Sequence, residues 1–418
     1  MKYKINGGAR LCGIVRISGA KNAALPIIAA SMLGESPSVL HDVPKVSDTS
    51  DMCELVEHMG AIFTRAADNS LSIYLEKSKN FIAPYDVVSK FRASFLIMSP
   101  MLARFGKVRI PLPGGCPIGT RPVDLHLKGF AAMGAKITQG HGFVEARARK
   151  LVGAKVYLDF PSVGATENIM IAAALADGST VIENAAIEPE IVDLANFLNK
   201  MGANVRGAGS GTIRIMGVKR LCGAQHTIIP DRIEAGTFMT AAAMTRGEIL
   251  LENVSRDHLK PVISKLSDVG IIIEAGENSI LVKGDEKLKP SDIKTLPYPG
   301  FPTDMQAQFT AFMSNVEGTS MVVETVFENR FLHAAELARM GANIKVDGRC
   351  AIIEGKKKLS GAQVKATDLR AGAALTLAAL VCDDVSEISD VHHIDRGYEN
   401  FELKLRSLGA VIEKTTDS

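Results

Sequence analysis

The sequence has no tryptophan, and its aromatic content is only 5%. No run of lysine and arginine is interleaved with aromatics, so no stacking platform for single-stranded nucleic acid is expected. Neither charge is in excess: 48 Lys and Arg stand against 46 Asp and Glu, a formal net charge of +2. No global field draws such a chain to nucleic acid or to a membrane, so any anion must be held by a local cluster. The six cysteines (12, 53, 116, 222, 350, 382) show no CxxC or other metal-ligand spacing. They are expected to be free thiols in a reducing cytoplasm. His392 and His393 are adjacent but have no third ligand at helical spacing, so no metal site is expected. The start, MKYKINGGARL, lacks the apolar core of a signal peptide. The most apolar run, AGAALTLAALVC at 371–382, is too short to cross a bilayer and is expected to be a buried helix.

What is present is a large apolar fraction and an internal repeat. The chain has 418 residues, 46% of them hydrophobic, enough for a sizeable core and two or three domains. One marker is a glycine that ends an amphipathic helix before a strand: HMGAIF, AMGAKI, KMGANV, DVGIII, RMGANI, SLGAVI. These glycines are Gly60, Gly134, Gly202, Gly270, Gly341 and Gly409, spaced by 74, 68, 68, 71 and 68 residues. Glycine suits a helix end that needs a left-handed residue. Upstream of each lies a helix rich in alanine and other small residues, such as NAALPIIAASML, TENIMIAAALAD and DLRAGAALTLAALV. Before several of these comes Leu, one residue, Gly and an alternating strand, as in LCGIVRISGAKNAAL and LCGAQHTIIPDRIEAG. The unit is strand, helix, strand, helix, strand, with an extra strand. A period near 70 residues makes each copy a small subdomain rather than a solenoid rung. Six copies suggest two α/β lobes of three units each.

Polar residues collect at the starts of the small-residue helices. They include Lys21 and Asn22, Arg92, Ser162 to Glu167, Asp231 and Arg232, Thr303 and Asp304, and Asp368 and Arg370. A helix N-terminus offers free N–H groups to an anion, and an added Lys or Arg sharpens that preference. Two blander readings stand beside this one. Asp231, Asp304 and Asp368 occupy places where helix caps occur. Arg92, Arg330 and Arg396 have the reading of solvated surface charges. Cys116 lies in the loop PGGCPIGTRP, where Gly and Pro break helix and strand and Arg121 favours a thiolate. It is either inert or a reactive thiol on a lid. From these residues the chain is a two-lobed α/β protein that binds an anionic, phosphorylated small molecule between its lobes.

The motifs SGAKNAALPI, LPGGCPIGTRPVDLH, SVGATENIM, EPEIVDLANFL, FPTDMQAQF, TVFENRF, ATDLRA and HIDRGYE run through the whole chain. On them it resembles the enolpyruvyl transferases, and within these the branch acting on UDP-sugars. The resemblance implies a two-lobed inside-out α/β barrel of six repeats, three per lobe. The implied lobes are 21–229 on one side and 1–20 plus 230–418 on the other. It implies transfer of the enolpyruvyl group of phosphoenolpyruvate to the 3-hydroxyl of UDP-N-acetylglucosamine, with release of phosphate. That reaction opens peptidoglycan synthesis and needs neither cofactor nor metal. Cys116 then matches the proton donor to C3, the cysteine that fosfomycin alkylates, and Asp304 the base near the sugar hydroxyl. Lys21, Arg121 and Arg396 match cations that hold phosphoenolpyruvate, joined by Arg330 and Arg370, while Asn22 matches a donor near the reacting centre. Arg92, Arg121, Pro122, Val123, Asp124, Leu125, Ser162, Val163, Gly164 and Val326 match contacts to the UDP-sugar. The sequence departs at Phe160, where some members carry a diphosphate-binding lysine. The shikimate-pathway transferase is the nearest alternative enzyme, but it lacks a GGCPIGTRP lid. A silent UDP-sugar-binding paralogue would be expected to have lost Cys116, Asp304 or Lys21. In RNA 3'-phosphate cyclases the required histidine has a context absent here. Oligomeric state stays open.

Overall fold

The computed structural model describes residues 1–418 except 79, 115–117, 120–121, 286, 357 and 416–418. The chain forms two compact units. A terminal unit is built of Met1–Ser18 and Pro230–Ser418 and takes in Ile118 and Gly119. A middle unit is built from the chain between Gly19 and Ile229. Each has its own hydrophobic core.

In the terminal unit the core is organised on three helices, Arg232–Met244, Gln306–Ser314 and Leu369–Leu380, which pack on one another. Alanine favours helix, and its small side chain lets neighbouring helices approach closely. Every residue of Gln306–Ser314 and Leu369–Leu380 is buried, as a helix without a polar face must be. The middle unit has the counterpart helices Lys21–Ser31, Met98–Phe105 and Val163–Ala173. Two of the six helices are entered through a tighter 3-10 stretch, Arg92–Ile97 and Thr303–Met305.

Among the described residues six small sheets lie around these helices, three per unit, and one strand order recurs. An edge strand pairs in parallel with the strand that follows the buried helix, and two antiparallel strands complete the sheet. Thus Lys155–Tyr157 pairs with Ser179–Glu183, followed by Thr212–Met216 and Asn204–Arg206. The strands bury alternate residues, so one face covers the helices and the other meets solvent. One sheet has three strands, Lys107–Pro111, Phe143–Arg147 and Lys136–Gly140, and its edge partner shrinks to a single bridge from Ile82 to Arg109. The amphipathic helix of each copy ends before the marker glycine. All six of these glycines adopt positive φ, between 87° and 113°.

Two short strands are exchanged relative to their sequence neighbours. Cys12–Arg16 leads into the Lys21–Ser31 helix, yet it pairs with Glu248–Glu252 in the terminal unit. Gln225–Thr227 leads into the Arg232–Met244 helix, yet it pairs with Ser38–His41 in the middle unit. The chain's first strand, Lys2–Asn6, completes the last sheet between Val385–Ser389 and Val411–Thr415. Among the described residues no helix is long and apolar enough to cross a membrane.

Candidate functional site

In the terminal unit the polar residues converge on Asp304. Pro302 precedes the Thr303–Met305 turn, so Asp304 sits within a 3-10 turn rather than at the cap of Gln306–Ser314. Its carboxylate is therefore not spent on backbone N–H groups of that helix. Oδ1 accepts from Arg330 Nη2 at 2.7 Å and Oδ2 from Arg370 Nη2 at 3.0 Å. Both arginine side chains are about as buried as core residues, at 5% and 4% exposure, whereas the Asp304 side chain keeps 27%. The part of this cluster nearest solvent is thus the carboxylate, held by two guanidinium groups. Such buried charge-assisted pairs fix geometry strongly.

A second carboxylate braces the arrangement. Thr303 Oγ1 accepts from Arg330 Nη1 at 3.0 Å and donates to Glu324 Oε2 at 2.9 Å. Glu324 Oε1 accepts from Thr295 Oγ1 and from the N–H groups of Val326 and Phe327, at 2.9, 2.8 and 3.1 Å. This closes the turn that carries Val326. The alternative reading of Arg330 as a solvated surface charge fails here, because its partners draw it inside. Burial holds the His333 imidazole, close behind Arg330, well below its ordinary value and so neutral; the Arg330 charge acts in the same direction and Asp368 opposes it. Arg396 ends the 3-10 stretch Val391–Arg396 and is partly exposed.

The other two aspartates behave as caps. Asp231 Oδ1 accepts from the N–H groups of Ile233 and Glu234 at 2.8 and 3.0 Å. Asp368 Oδ1 accepts from those of Arg370 and Ala371 at 2.9 and 3.1 Å. Asp368 thereby starts the helix that aims Arg370.

In the middle unit Lys21 is the first residue of its helix. It is buried, with Nζ 3.1 Å from Asp48 Oδ2. Asn22 follows it, half-buried. Arg92 opens the 3-10 stretch and donates from Nη2 to the Pro122 carbonyl at 2.9 Å, which ties it to the TRPVDL segment. There Val123 is buried, Leu125 half-buried, and Pro122 and Asp124 exposed. Ser162 caps Val163–Ala173 by accepting from the Ala165 N–H at 3.3 Å. Val163 and Gly164 are half-buried in that first turn. A side chain at Gly164 would meet His126 Cε1 at 3.1 Å, so glycine makes room for the imidazole. Asn168 accepts from Ser99 through Oδ1 and donates to His126 Nδ1 at 2.7 Å. The imidazole proton therefore sits on Nε2. Phe160, two residues before Ser162, is exposed. Cys116 and Arg121 lie outside the described residues.

Three buried glutamates accompany this unit. Burial raises the Glu167 carboxyl well above its ordinary value, and the charges of Glu190 and Glu188 add to the rise. Among the described residues no group of three His, Cys, Asp or Glu side chains is placed to hold a metal ion.

With this geometry in view, the match to the family model described as EPSP synthase (3-phosphoshikimate 1-carboxyvinyltransferase) spans residues 5–405. The chain belongs to the EPSP synthase family. Within the family it is 60% identical to UDP-N-acetylglucosamine 1-carboxyvinyltransferase 1 of Caldanaerobacter subterraneus subsp. tengcongensis, over 98% of this chain and 99% of the relative. It is 59% identical to UDP-N-acetylglucosamine 1-carboxyvinyltransferase 2 of Carboxydothermus hydrogenoformans, over 100% of both chains. Among solved structures it resembles the enolpyruvyl transferase NikO from Streptomyces tendae, with a TM-score of 0.90 and 25% identity, covering 99% of this chain and 98% of that one. The EPSP synthase of Acinetobacter baumannii shares the fold, with a TM-score of 0.77 at 19% identity over 99% of each chain.

Sequence reasoning singled out Asp304, Arg330 and Arg370, and the structure joins them. It missed Asp48, Gln308, Glu324, His126 and Tyr398. Of these, Gln308, His126 and Tyr398 stand inside motifs already noted, FPTDMQAQF, RPVDLH and HIDRGYE. Asp48 and Glu324 carry no sequence signal of their own.

Proposed function

We propose that this chain transfers the enolpyruvyl group of phosphoenolpyruvate to the 3-hydroxyl of UDP-N-acetylglucosamine and releases phosphate, the first committed step of peptidoglycan synthesis. The observation that carries the reading is near-full-length identity of about three residues in five to relatives named UDP-N-acetylglucosamine 1-carboxyvinyltransferase. The Asp304 arrangement supports it, since a partly exposed carboxylate backed by two arginines suits a hydroxyl that must be oriented and deprotonated beside an anion. On this reading the six helix-and-sheet copies are the repeats of an inside-out α/β barrel, three per lobe.

The reaction is an addition followed by an elimination. Cys116 gives a proton to C3 of phosphoenolpyruvate, which makes C2 electrophilic. The sugar oxygen bonds to C2 as Asp304 takes its proton. The Cys116 thiolate then takes back a proton from C3 as phosphate leaves C2, which restores the double bond and the thiol. Lys21, Arg121 and Arg396, with Arg330 and Arg370, neutralise phosphate and carboxylate. Asn22 donates a hydrogen bond to the reacting centre. Arg92, Arg121 to Leu125, Ser162 to Gly164 and Val326 hold the UDP-sugar. Both oxygens of Asp304 are committed to arginines, so it accepts the proton as one of them turns to the substrate anion.

The test is phosphate release from phosphoenolpyruvate with UDP-N-acetylglucosamine in one reaction and shikimate 3-phosphate in another. Release with the UDP-sugar alone, abolished by fosfomycin and insensitive to it in Cys116→Asp, is the expected result. Release with shikimate 3-phosphate alone overturns the acceptor.

A further inference from the structure

Behind the Asp304–Arg370 pair lies a buried polar group that the reaction above does not use. Tyr398 is 2% exposed, and Thr237 and Gln308 are fully buried. Thr237 has one hydroxyl proton, which it gives to the Ile233 carbonyl at 2.8 Å. Its 2.9 Å contact with Tyr398 Oη must then use the phenol's proton. The Asp304 carbonyl, 3.0 Å from Gln308 Nε2, fixes the orientation of that amide, because a carbonyl only accepts. The same nitrogen reaches Thr237 Oγ1 at 3.1 Å and Tyr398 Oη at 3.2 Å. The amide has two protons, so its second is shared between these two oxygens, and the phenol is held by its donation to Thr237 and by this shared proton.

Its ring centroid lies 5.3 Å from the Arg370 guanidinium carbon. Arg370 Nε and Nη1, both screened from solvent, make no well-formed hydrogen bond among the described residues. The Tyr398 phenol is their polar neighbour. A buried guanidinium with unmet donors is costly, and an aromatic face with its phenol oxygen offsets part of that cost. Burial raises the Tyr398 phenol above its ordinary value, so it stays neutral.

We propose that Tyr398 is a positioning residue: it holds Arg370 so that Nη2 meets Asp304 Oδ2, while Gln308, bonded to the same phenol, holds the Asp304 carbonyl. Asp304 is then gripped at its carboxylate and at its backbone by one rigid group. The inference rests on the proposed reaction, in which the direction of the Asp304 carboxylate decides whether the sugar hydroxyl loses its proton. Small misplacements of a catalytic group cost large factors in rate.

The experiment uses Tyr398→Phe, which keeps the ring and removes the hydroxyl. Thr237→Val, which takes away the phenol's acceptor, serves as a second variant. In protein labelled with 15N-arginine, the Arg370 Nε–H signal is assigned by its loss in Arg370→Lys. Its solvent exchange is expected to quicken about tenfold in Tyr398→Phe, because the buried guanidinium loses the phenol oxygen beside its unmet donors and is held less tightly. Phosphate release with UDP-N-acetylglucosamine is expected to lose about tenfold in kcat, with the KM for the sugar within about twofold. In an Arg370→Lys background the same substitution is expected to cost less than about twofold, because two residues acting in series are not additive. Unchanged Nε–H exchange, or a tenfold loss that persists in Arg370→Lys, overturns the proposal. A wild-type chain inactive with this acceptor defeats the functional reading instead, and the exchange measurement still decides whether Tyr398 holds Arg370.

Discussion

Asp231, Asp304 and Asp368 each stand at the start of one of the three buried helices of the terminal unit, yet they are used in two ways. Asp231 and Asp368 turn an oxygen onto the first N–H groups of their helices. Asp304 is displaced into a 3-10 turn and turns both oxygens onto arginines. The same residue type at the same place in a repeat thus serves helix initiation twice and charge presentation once. The lesson is that a shift of one turn in the backbone decides between cap and site. The cap then has a functional echo, since Asp368 starts the helix that delivers Arg370.

That contrast is open to attack at several points. Asp304→Ala removes the proposed proton acceptor and is expected to lower kcat/KM for phosphate release by about 10³-fold, the usual scale for a general base, with the far-UV circular dichroism spectrum unchanged. A loss of only a few-fold would put Asp304 with the caps.

Glu234 sharpens the picture on the helix that Asp231 caps. Burial raises its carboxyl to about 7, although Lys404 pulls it down. Between the ordinary value of 4.5 and about 7 the folded chain keeps a proton that the unfolded chain has released. This contribution is full below 4.5 and is lost as pH rises through about 7. By linkage it amounts to about 3 kcal/mol. Glu234→Gln is therefore expected to flatten the fall of the unfolding midpoint across that window, read by thermal denaturation at a series of pH values. An unchanged pH profile would show that Glu234 is ionised in the fold at all these values.

Arg330→Lys keeps the charge but not the fork that serves Thr303 and Asp304 together. About a tenfold loss in kcat is expected from steady-state kinetics, because an ammonium cannot reproduce two directed bonds. Full activity would show that charge alone suffices. The smallest effect belongs to the caps. Asp231→Ala and Asp368→Ala are each expected to cost about 1 kcal/mol of stability in urea unfolding. A cost near zero would mean that their backbone partners are satisfied in another way.

Much of the fold was legible because the repeat is local. A glycine after each amphipathic helix and a run of small residues in each buried helix follow from chain geometry within one copy, and all six glycines adopt the left-handed conformation. The exchange of Cys12–Arg16 and Gln225–Thr227 was not legible as a pairing. LCGIVRISGA and LCGAQHTIIP have the same local pattern, and the partner of a short strand is set by contacts far along the chain. The site was legible residue by residue rather than as an arrangement. Arg330 and Arg370 stood out as cations beside helix starts, but their burial depends on Asp304 and on Thr303 and Glu324 behind it. Tyr398 was in view inside HIDRGYE, but its bearing on Arg370 comes from a packing contact between residues far apart in the chain. Asp48 gave no signal, because nothing local in the sequence distinguishes an aspartate that pairs with a buried lysine from a solvated one early in a helix.

The most direct test of the account replaces charge without changing size at two of these positions and measures turnover and unfolding together. Asparagine caps a helix about as well as aspartate. Asp368→Asn is thus expected to keep its unfolding midpoint, and its phosphate release with UDP-N-acetylglucosamine is expected to exceed that of Asp304→Asn by at least about tenfold, since only the latter removes the proposed proton acceptor. Equal losses of turnover in the two variants would contradict the division into cap and site.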